Sequence, residues 1–183
     1  SALYWIDIPL GKIYRWHAPS DQISQWQLPE MVGSMSLCTS GEWIVAMETG
    51  IYQVKLLSEG LCTHEKLAQV EHPTQPMRFN DGRCDRQGRF FSGTMFNDTK
   101  AGMRVGSFYR FNNDYQLTRL WGDLIVPNGL AFSPDGATMY LADTHPSRQT
   151  IWAFDYDTDT GTPHHQRVFV DMHHHQGRPD GAA

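Results

Sequence analysis

The stretch Phe132-Ser133-Pro134-Asp135-Gly136-Ala137-Thr138-Met139-Tyr140-Leu141-Ala142-Asp143 decides the fold, because a Pro-Asp-Gly turn there leads straight into an apolar run. Two earlier stretches have the same pattern of a glycine turn followed by an apolar run: residues 38–46 around Gly41 and residues 84–93 around Gly88. The three turn glycines lie 47 and 48 residues apart. A long period of this kind is typical of repeat architectures, in which each repeat is one supersecondary unit.

Short runs of β-branched and aromatic residues, bounded by Gly, Pro, Asp and Asn, predict the strands that accompany these turns. The runs are residues 3–8, 11–16, 23–26, 50–54, 66–70, 106–111, 117–121, 151–156 and 167–170. No run has the length and period of a helix of about ten residues or more. Four-stranded units at this spacing favour a β-propeller, although a β-sandwich also contains many short strands.

The sequence therefore predicts an all-β chain that forms part of a β-propeller with four-stranded blades. The predicted blades are residues 1–30, 31–76, 77–126 and 127–176, and residues 177–183 begin a further blade. The chain begins inside a predicted strand and holds just under four units. We therefore expect it to be part of a larger propeller.

Composition and charge exclude several classes of protein. Fifteen Lys and Arg against twenty Asp and Glu give a net charge of −5, which disfavours nucleic-acid and anionic membrane partners. A charged fraction of 19% with 12% aromatic residues excludes disorder as the main state. Three scattered cysteines argue against a disulfide framework. No signal-peptide pattern opens the chain, so the expected location is the cytoplasm.

Four motifs, in this order, resemble the regucalcin/gluconolactonase group of six-bladed β-propeller lactonases. They are residues 4–16, Arg78-Phe79-Asn80-Asp81-Gly82 with the residues up to 95, residues 128–136, and Arg178-Pro179-Asp180-Gly181-Ala182. The resemblance spans essentially the whole chain and implies that about four of six blades are present. It also places the family's metal-ligating Glu ahead of residue 1, so residues 1–183 alone are expected to be inactive.

The resemblance implies that Asn128 and Asp180 hold one divalent cation. Their amide and carboxylate oxygens suit Ca²⁺ first, with Mg²⁺, Mn²⁺ and Zn²⁺ as alternatives. Because both residues begin predicted blades, we expect them on loops that face the central channel. The alternative is that Asn128-Gly129 and Asp180-Gly181 are ordinary turn dipeptides.

The resemblance gives Asp180 a second role as the base that activates water, and makes Arg78 and Asn80 the substrate contacts. Alternatively, Arg78 ties neighbouring blades together through a carboxylate such as Asp81. Asp81 and Asp85 are interpreted as turn residues. Asp143, at the end of a predicted strand, is a further residue that could approach the channel.

The implied function is metal-dependent hydrolysis of a sugar lactone, with this small molecule as the partner and no nucleic acid or membrane. Three alternatives stay open: a calcium-binding regulator without catalysis, a propeller scaffold for protein partners, and a related esterase or organophosphatase. Residues 173–175, three histidines, are interpreted as a solvated loop, and the oligomeric state is left open. His64-Glu65 lacks the second histidine of a zinc-protease motif.

Overall fold

The computed structural model describes residues 1–58 and 60–182, and nearly all regular structure in them is β-strand. The strands are β1 Ala2–Asp7, β2 Lys12–His17, β3 Gln22–Gln27, β4 Val32–Leu37, β5 Trp43–Met47, β6 Gly50–Leu56, β7 Cys62–Gln69, β8 Met77–Cys84, β9 Phe90–Phe96, β10 Gly106–Phe111, β11 Leu117–Leu124, β12 Pro127–Phe132, β13 Thr138–Asp143, β14 Thr150–Asp157 and β15 Thr162–Asp171. Within the described residues, a single 3-10 turn at Thr99–Ala101 is the one helical element. None of them forms a helix that is long and apolar enough to cross a membrane.

The strands form four antiparallel sheets that follow one another along the chain. The first sheet contains β1–β3, and the next three contain β4–β7, β8–β11 and β12–β15. The first strands of the later sheets, β4, β8 and β12, lie side by side, so the sheets are arranged around a shared inner edge. The predicted all-β fold is confirmed, and three of the four sheets have four strands.

The three glycines that define the sequence repeat occupy the same turn in each four-stranded sheet. Gly41, Gly88 and Gly136 have φ values of +85°, +85° and +77°, and each precedes the second strand of its sheet. The amide of each donates to the carbonyl three residues earlier. Glycine adopts positive φ without a steric penalty, so the sequence repeat is a repeat of turn geometry.

Aromatic side chains fill the space between the third and fourth sheets. Phe91 of β9 is fully buried and contacts Phe132 and Tyr156 of the next sheet, with ring centroids 5.8 and 6.1 Å apart. Burying one such side chain stabilises the fold by roughly 1.5–3 kcal/mol. This packing fixes the sheets relative to one another and thereby positions the residues on their inner strands.

The first strand of each four-stranded sheet carries a β-bulge near its first residues. The pairing register shifts between residues 32 and 34 of β4, 79 and 82 of β8, and 128 and 131 of β12. A bulge inserts one extra residue and redirects the neighbouring side chains. The three bulges occur at the same end of the molecule, where the predicted site residues also lie.

Candidate active site

A cavity of about 370 Å³ lies at the end of the molecule where β4, β8 and β12 begin. Its walls are formed by Ile8, Gly33, Arg78, Asn80, Asp81, Met95, Thr99, Val126, Asn128, Asp180 and Gly181. All four residues selected from the sequence, Arg78, Asn80, Asn128 and Asp180, are among them. The structure therefore brings these residues together around one space, while their chemical roles stay predictions.

Asn128 occupies a strand, which differs from the predicted loop position. It is the second residue of β12 and only 8% exposed, whereas Asp180 lies outside the strands and is exposed. The bulge that follows Asn128 explains the difference, because a bulged strand can turn a side chain toward a channel without a loop.

A chain of hydrogen bonds orders the polar wall of the cavity. Arg78 Nη1 donates to Asn80 Oδ1 at 2.8 Å and to the Phe79 carbonyl at 2.9 Å. Asn80 Nδ2 donates to Asn128 Oδ1 at 3.1 Å and to the Pro127 carbonyl at 2.8 Å. Since an amide nitrogen has two hydrogens, both donors of Asn80 are used and one acceptor lone pair is left.

Thr144 fixes the orientation of the Asn128 amide. Asn128 Nδ2 donates to Thr144 Oγ1 at 2.7 Å, and the Thr144 hydroxyl donates to the Pro179 carbonyl at 2.6 Å. With its nitrogen held in this way, the Asn128 side chain presents its oxygen beside Asn80. The same hydroxyl also ties the segment that carries Asp180 to the fourth sheet.

Asp180 comes close to β12 because residue 129 is a glycine. A Cβ atom on Gly129 would lie 2.9 Å from the Asp180 carbonyl oxygen, and Gly129 has a φ of +62°. The Asp180 side chain is exposed, and its Oδ1 accepts from the Gly181 amide at 2.9 Å. Its other carboxylate oxygen has no hydrogen-bond donor within the described residues.

Asp81 lines the cavity as well, although the sequence pattern suggested a turn residue. Its carboxylate accepts from the Leu130 amide at 3.1 Å and from the Gly82 amide at 2.9 Å, so it links β8 to β12. Burial raises the pKa of Asp81 above the usual carboxyl value, and these hydrogen bonds oppose the rise. The one sequence signal for this position is its place directly after Asn80.

Arg78 makes no ion pair with Asp81 within the described residues, so the predicted alternative of a tie through that carboxylate is not seen. Its two hydrogen bonds stay within β8. Burial lowers the pKa of the Arg78 guanidinium, and the carboxylate of Glu48 opposes this change. An arginine remains charged under such conditions, and its other N–H groups are available to a ligand.

Asp143 is not among the residues that line the cavity. It is fully buried, and its carboxylate accepts from the backbone amides of Ile125, Val126 and His145 at 2.8, 3.0 and 3.1 Å. These bonds order the loop that leads into β12. Asp143 thus contacts the cavity wall through the Val126 backbone without lining the cavity, and its approach to the channel stays a prediction.

The donor atoms around the cavity suit a hard divalent cation. They are the amide and carboxylate oxygens of Asn80, Asp81, Asn128 and Asp180, and the hydroxyl of Thr99. No histidine or cysteine belongs to the described lining residues. Ca²⁺ takes about six to eight oxygen ligands, so a cation held by Asn128 and Asp180 would keep positions for water and substrate.

Comparison with known proteins shows which family the chain resembles. A family model described as "SMP-30/Gluconolactonase/LRE-like region" matches residues 1–183. The chain is 38% identical over 181 residues to a 6-deoxy-6-sulfogluconolactonase of Pseudomonas putida, covering 99% of this chain and 60% of that protein. It is 33% identical over 183 residues to an L-arabinolactonase of Azospirillum brasilense, covering 99% and 59%.

The fold also matches a solved structure. A structure described as the calcium-binding protein regucalcin from Agrobacterium tumefaciens has a TM-score of 0.86 and 28% sequence identity, covering 98% of this chain and 59% of that one. The predicted propeller arrangement of the sheets is thus confirmed. The chain spans about 60% of the length of the curated relatives it matches.

Proposed function

Since the chain belongs to the SMP-30/gluconolactonase/LRE-like family, we propose that the whole protein hydrolyses a sugar lactone with one divalent cation bound in the cavity. The observation that carries the proposal is the convergence of Arg78, Asn80, Asn128 and Asp180 on one cavity. The lactonases among the relatives support the reaction class. The regucalcin relative, described as calcium-binding, supports Ca²⁺ as the first choice of cation.

In this proposal Asn128 and Asp180 hold the cation through their oxygens. A cation bound there would polarise the lactone carbonyl and stabilise the negative charge that develops on its oxygen. The amide of Asn128 is already oriented by Thr144, so its oxygen needs little rearrangement to bind. Asp180 is exposed at the cavity edge, where a carboxylate can meet both solvent and substrate.

Asp180 also serves as the general base. It takes a proton from the water molecule whose oxygen forms a bond to the carbonyl carbon. The ring C–O bond then breaks, the ring oxygen leaves as an alkoxide and gains a proton, and the product is a hydroxy acid. A positioned carboxylate base contributes roughly 10²- to 10⁴-fold to such a step.

Arg78 and Asn80 orient the sugar in this scheme. The N–H groups of Arg78 that β8 does not use can donate to hydroxyl or ring oxygens of the lactone. Asn80 offers its remaining acceptor lone pair to a sugar hydroxyl. Its two donors hold Asn128 and the Pro127 carbonyl, so Asn80 also positions the cation ligand.

The proposal predicts that Asp180→Asn strongly slows lactone hydrolysis while cation binding persists. The asparagine keeps an oxygen ligand but cannot accept the proton, so we expect kcat to fall by roughly 10²- to 10⁴-fold. The measurement is proton release from a panel of aldonolactones by the full-length protein, with Ca²⁺ binding followed by calorimetry.

Asp135→Asn is the matched control. Asp135 lies in the exposed turn between β12 and β13, where its carboxylate accepts from the Ala137 amide. We expect this variant to keep the full rate. An Asp180→Asn variant that hydrolyses lactones at the original rate, or activity that survives removal of cations by a chelator, would contradict the proposal.

The second candidate function is a calcium-binding regulator without catalytic duty, favoured by the description of the regucalcin relative. The same oxygens would then hold Ca²⁺ alone. Tight Ca²⁺ binding with no turnover of any lactone in the panel would support it. Turnover of aryl esters or phosphotriesters instead of lactones would support a related esterase or organophosphatase that uses the same cavity.

We also propose a cytoplasmic location, supported by the state of the cysteines. Cys38, Cys62 and Cys84 are all unpaired. Free thiols persist in reducing compartments, whereas secreted proteins tend to pair them.

A further inference from the structure

The hairpin of β14 and β15 carries three metal-ligating side chains at the end of the fourth sheet opposite to the cavity. Asp155 lies on β14, and His164 and His165 lie on β15. One ligand atom from each lies within 4.8 Å of the other two. Asp155 pairs with Thr138, at the other end of β13 from Asp143, and none of the three side chains lines the cavity.

A β-bulge brings the two imidazoles to one face of the hairpin. Asp155 pairs with His164 while Ala153 pairs with Arg167, so β15 contains one extra residue in this interval. His165, in the bulge, has a φ of +50°. Successive side chains of a regular strand point to opposite faces. Here the two imidazole rings instead lie 4.7 Å apart, centroid to centroid.

The carboxylate of Asp155 completes the group. Its Oδ2 lies 3.0 Å from His165 Nδ1. All three side chains are accessible from solvent, and His165 is 76% exposed. Exposed side chains can rotate, so the present spacing is adjustable in a way that a buried cluster would not allow.

We propose that Asp155, His164 and His165 form a second cation site, which takes a transition-metal dication of the Zn²⁺ type. Two imidazole nitrogens and one carboxylate oxygen are ligands that Zn²⁺ prefers, and water fills the fourth position. Bond lengths near 2.0–2.1 Å in a tetrahedron require ligand atoms about 3.3 Å apart. The ligand atoms now lie within 4.8 Å of one another, so metal binding requires the exposed side chains to rotate closer together. The cavity, with oxygen donors alone, suits a harder ion.

Arg167 competes with a cation at this site. Its Nη1 donates to Asp155 Oδ1 at 2.7 Å, which leaves Oδ2 for the metal. The guanidinium charge repels a dication beside the same carboxylate. Replacing Arg167 with an uncharged residue therefore tightens binding, whereas removing an imidazole weakens it.

Titration of the intact protein with Zn²⁺, followed by calorimetry in excess Ca²⁺, tests the site. Ca²⁺ occupies oxygen-rich sites and leaves imidazole sites free. His164→Ala and His165→Ala should each weaken Zn²⁺ binding by at least about tenfold. Even the loss of a residue that only hydrogen-bonds a metal ligand lowers metal affinity by about that factor. Arg167→Gln should tighten Zn²⁺ binding severalfold. Both histidines are exposed, so circular dichroism should show an unchanged fold.

His174→Ala is the matched control, since it removes an exposed histidine from the three that follow β15. We expect this variant to bind Zn²⁺ as the original protein does. The proposal is overturned if His174→Ala weakens binding and His165→Ala does not. It is also overturned if Asp180→Asn removes the Zn²⁺ site, or if Arg167→Gln leaves the affinity unchanged. Because the readout is binding, failure of the proposed lactonase function would not affect the result.

Discussion

The carboxylate of Asp85 joins the third sheet to the fourth. Its Oδ2 accepts from the Tyr156 hydroxyl at 2.5 Å and from Arg89 Nε at 2.6 Å, and its Oδ1 accepts from the Gln87 amide at 3.0 Å. Asp85 is 7% exposed, so these bonds form away from water. The residue builds its turn, as the sequence predicts, and also fastens the next sheet, which a local pattern cannot show.

Tyr156→Phe tests this connection at neutral pH. The variant keeps the ring but leaves the buried carboxylate with one donor fewer. Hydrogen bonds to charged groups contribute about 1.5–3 kcal/mol, and we expect the free energy of unfolding in urea to fall by that amount. Tyr140→Phe is the control, because the Tyr140 ring packs on Phe169 and its hydroxyl has no hydrogen-bond partner within the described residues.

The pH dependence of this loss in the free energy of unfolding, original protein against Tyr156→Phe, provides a sharper test. Burial, and next the bond to Asp85, raise the pKa of Tyr156 above its usual value. The unfolded chain loses this proton near pH 10, whereas the folded protein retains it, so the folded state loses stability as pH rises through about 10. Phenylalanine has no proton to lose, so the deficit of Tyr156→Phe should shrink between pH 7 and pH 10.5. A deficit that stays constant would contradict the assignment.

The outermost strands are longer than the sequence pattern predicts. β7 begins at Cys62 and β15 at Thr162, whereas the apolar runs predicted starts at residues 66 and 167. The early parts of both strands are mostly exposed and polar, so they lack the alternation that marks a half-buried strand. Backbone pairing with β6 and β14 extends them, and this pairing depends on the sheet rather than on the residues' own pattern.

The segment that carries Asp180 packs closely against Gly129 at the start of β12, and Gly129→Ala should push the two apart. The new Cβ would lie 2.9 Å from the Asp180 carbonyl oxygen, so the segment must move away. A non-glycine residue at this positive φ also costs about 1–2 kcal/mol of stability. We expect weaker Ca²⁺ binding in calorimetry together with that loss of stability.

Gly136→Ala separates the cost of a non-glycine residue at positive φ from the displacement of the Asp180 segment. Gly136 has a φ of +77°, but a Cβ there would meet its nearest neighbours at 3.6 Å, an ordinary contact. We expect a similar loss of stability with unchanged Ca²⁺ affinity. Equal affinities for the two variants would show that the approach of Asp180 to Gly129 does not position the cation site.

At the scale of the whole molecule, the sheets and part of the candidate site can be predicted from the sequence. The repeat of turn glycines predicts the sheets, and the family resemblance brings Arg78, Asn80, Asn128 and Asp180 to one end of them. Asp81 and the pair His164–His165 escape prediction because their directions depend on β-bulges in β8 and β15. A bulge changes which face of the sheet a side chain occupies, and the local sequence pattern does not indicate where a bulge occurs.

The first sheet presents an apolar face that nothing in the described chain covers. Leu3 pairs with Trp16 and Trp16 with Ile23 across three strands, and these side chains are 59%, 37% and 59% exposed. A contiguous apolar patch of this kind favours association. The matched relatives are longer than this chain, which spans about 60% of them. In the whole protein we therefore expect further chain to contact this face.

Residues 1–183 expressed alone should consequently self-associate through the first sheet. Light scattering after size exclusion should give a mass well above 20.9 kDa. Replacing Leu3, Trp16 and Ile23 together with threonine, which retains strand propensity, should return the mass to that of the monomer. Gln25→Thr, a polar position on the same face, should leave the association unchanged. A monomeric original chain would contradict the prediction, and so would association that survives the triple substitution, because the contact would then lie elsewhere.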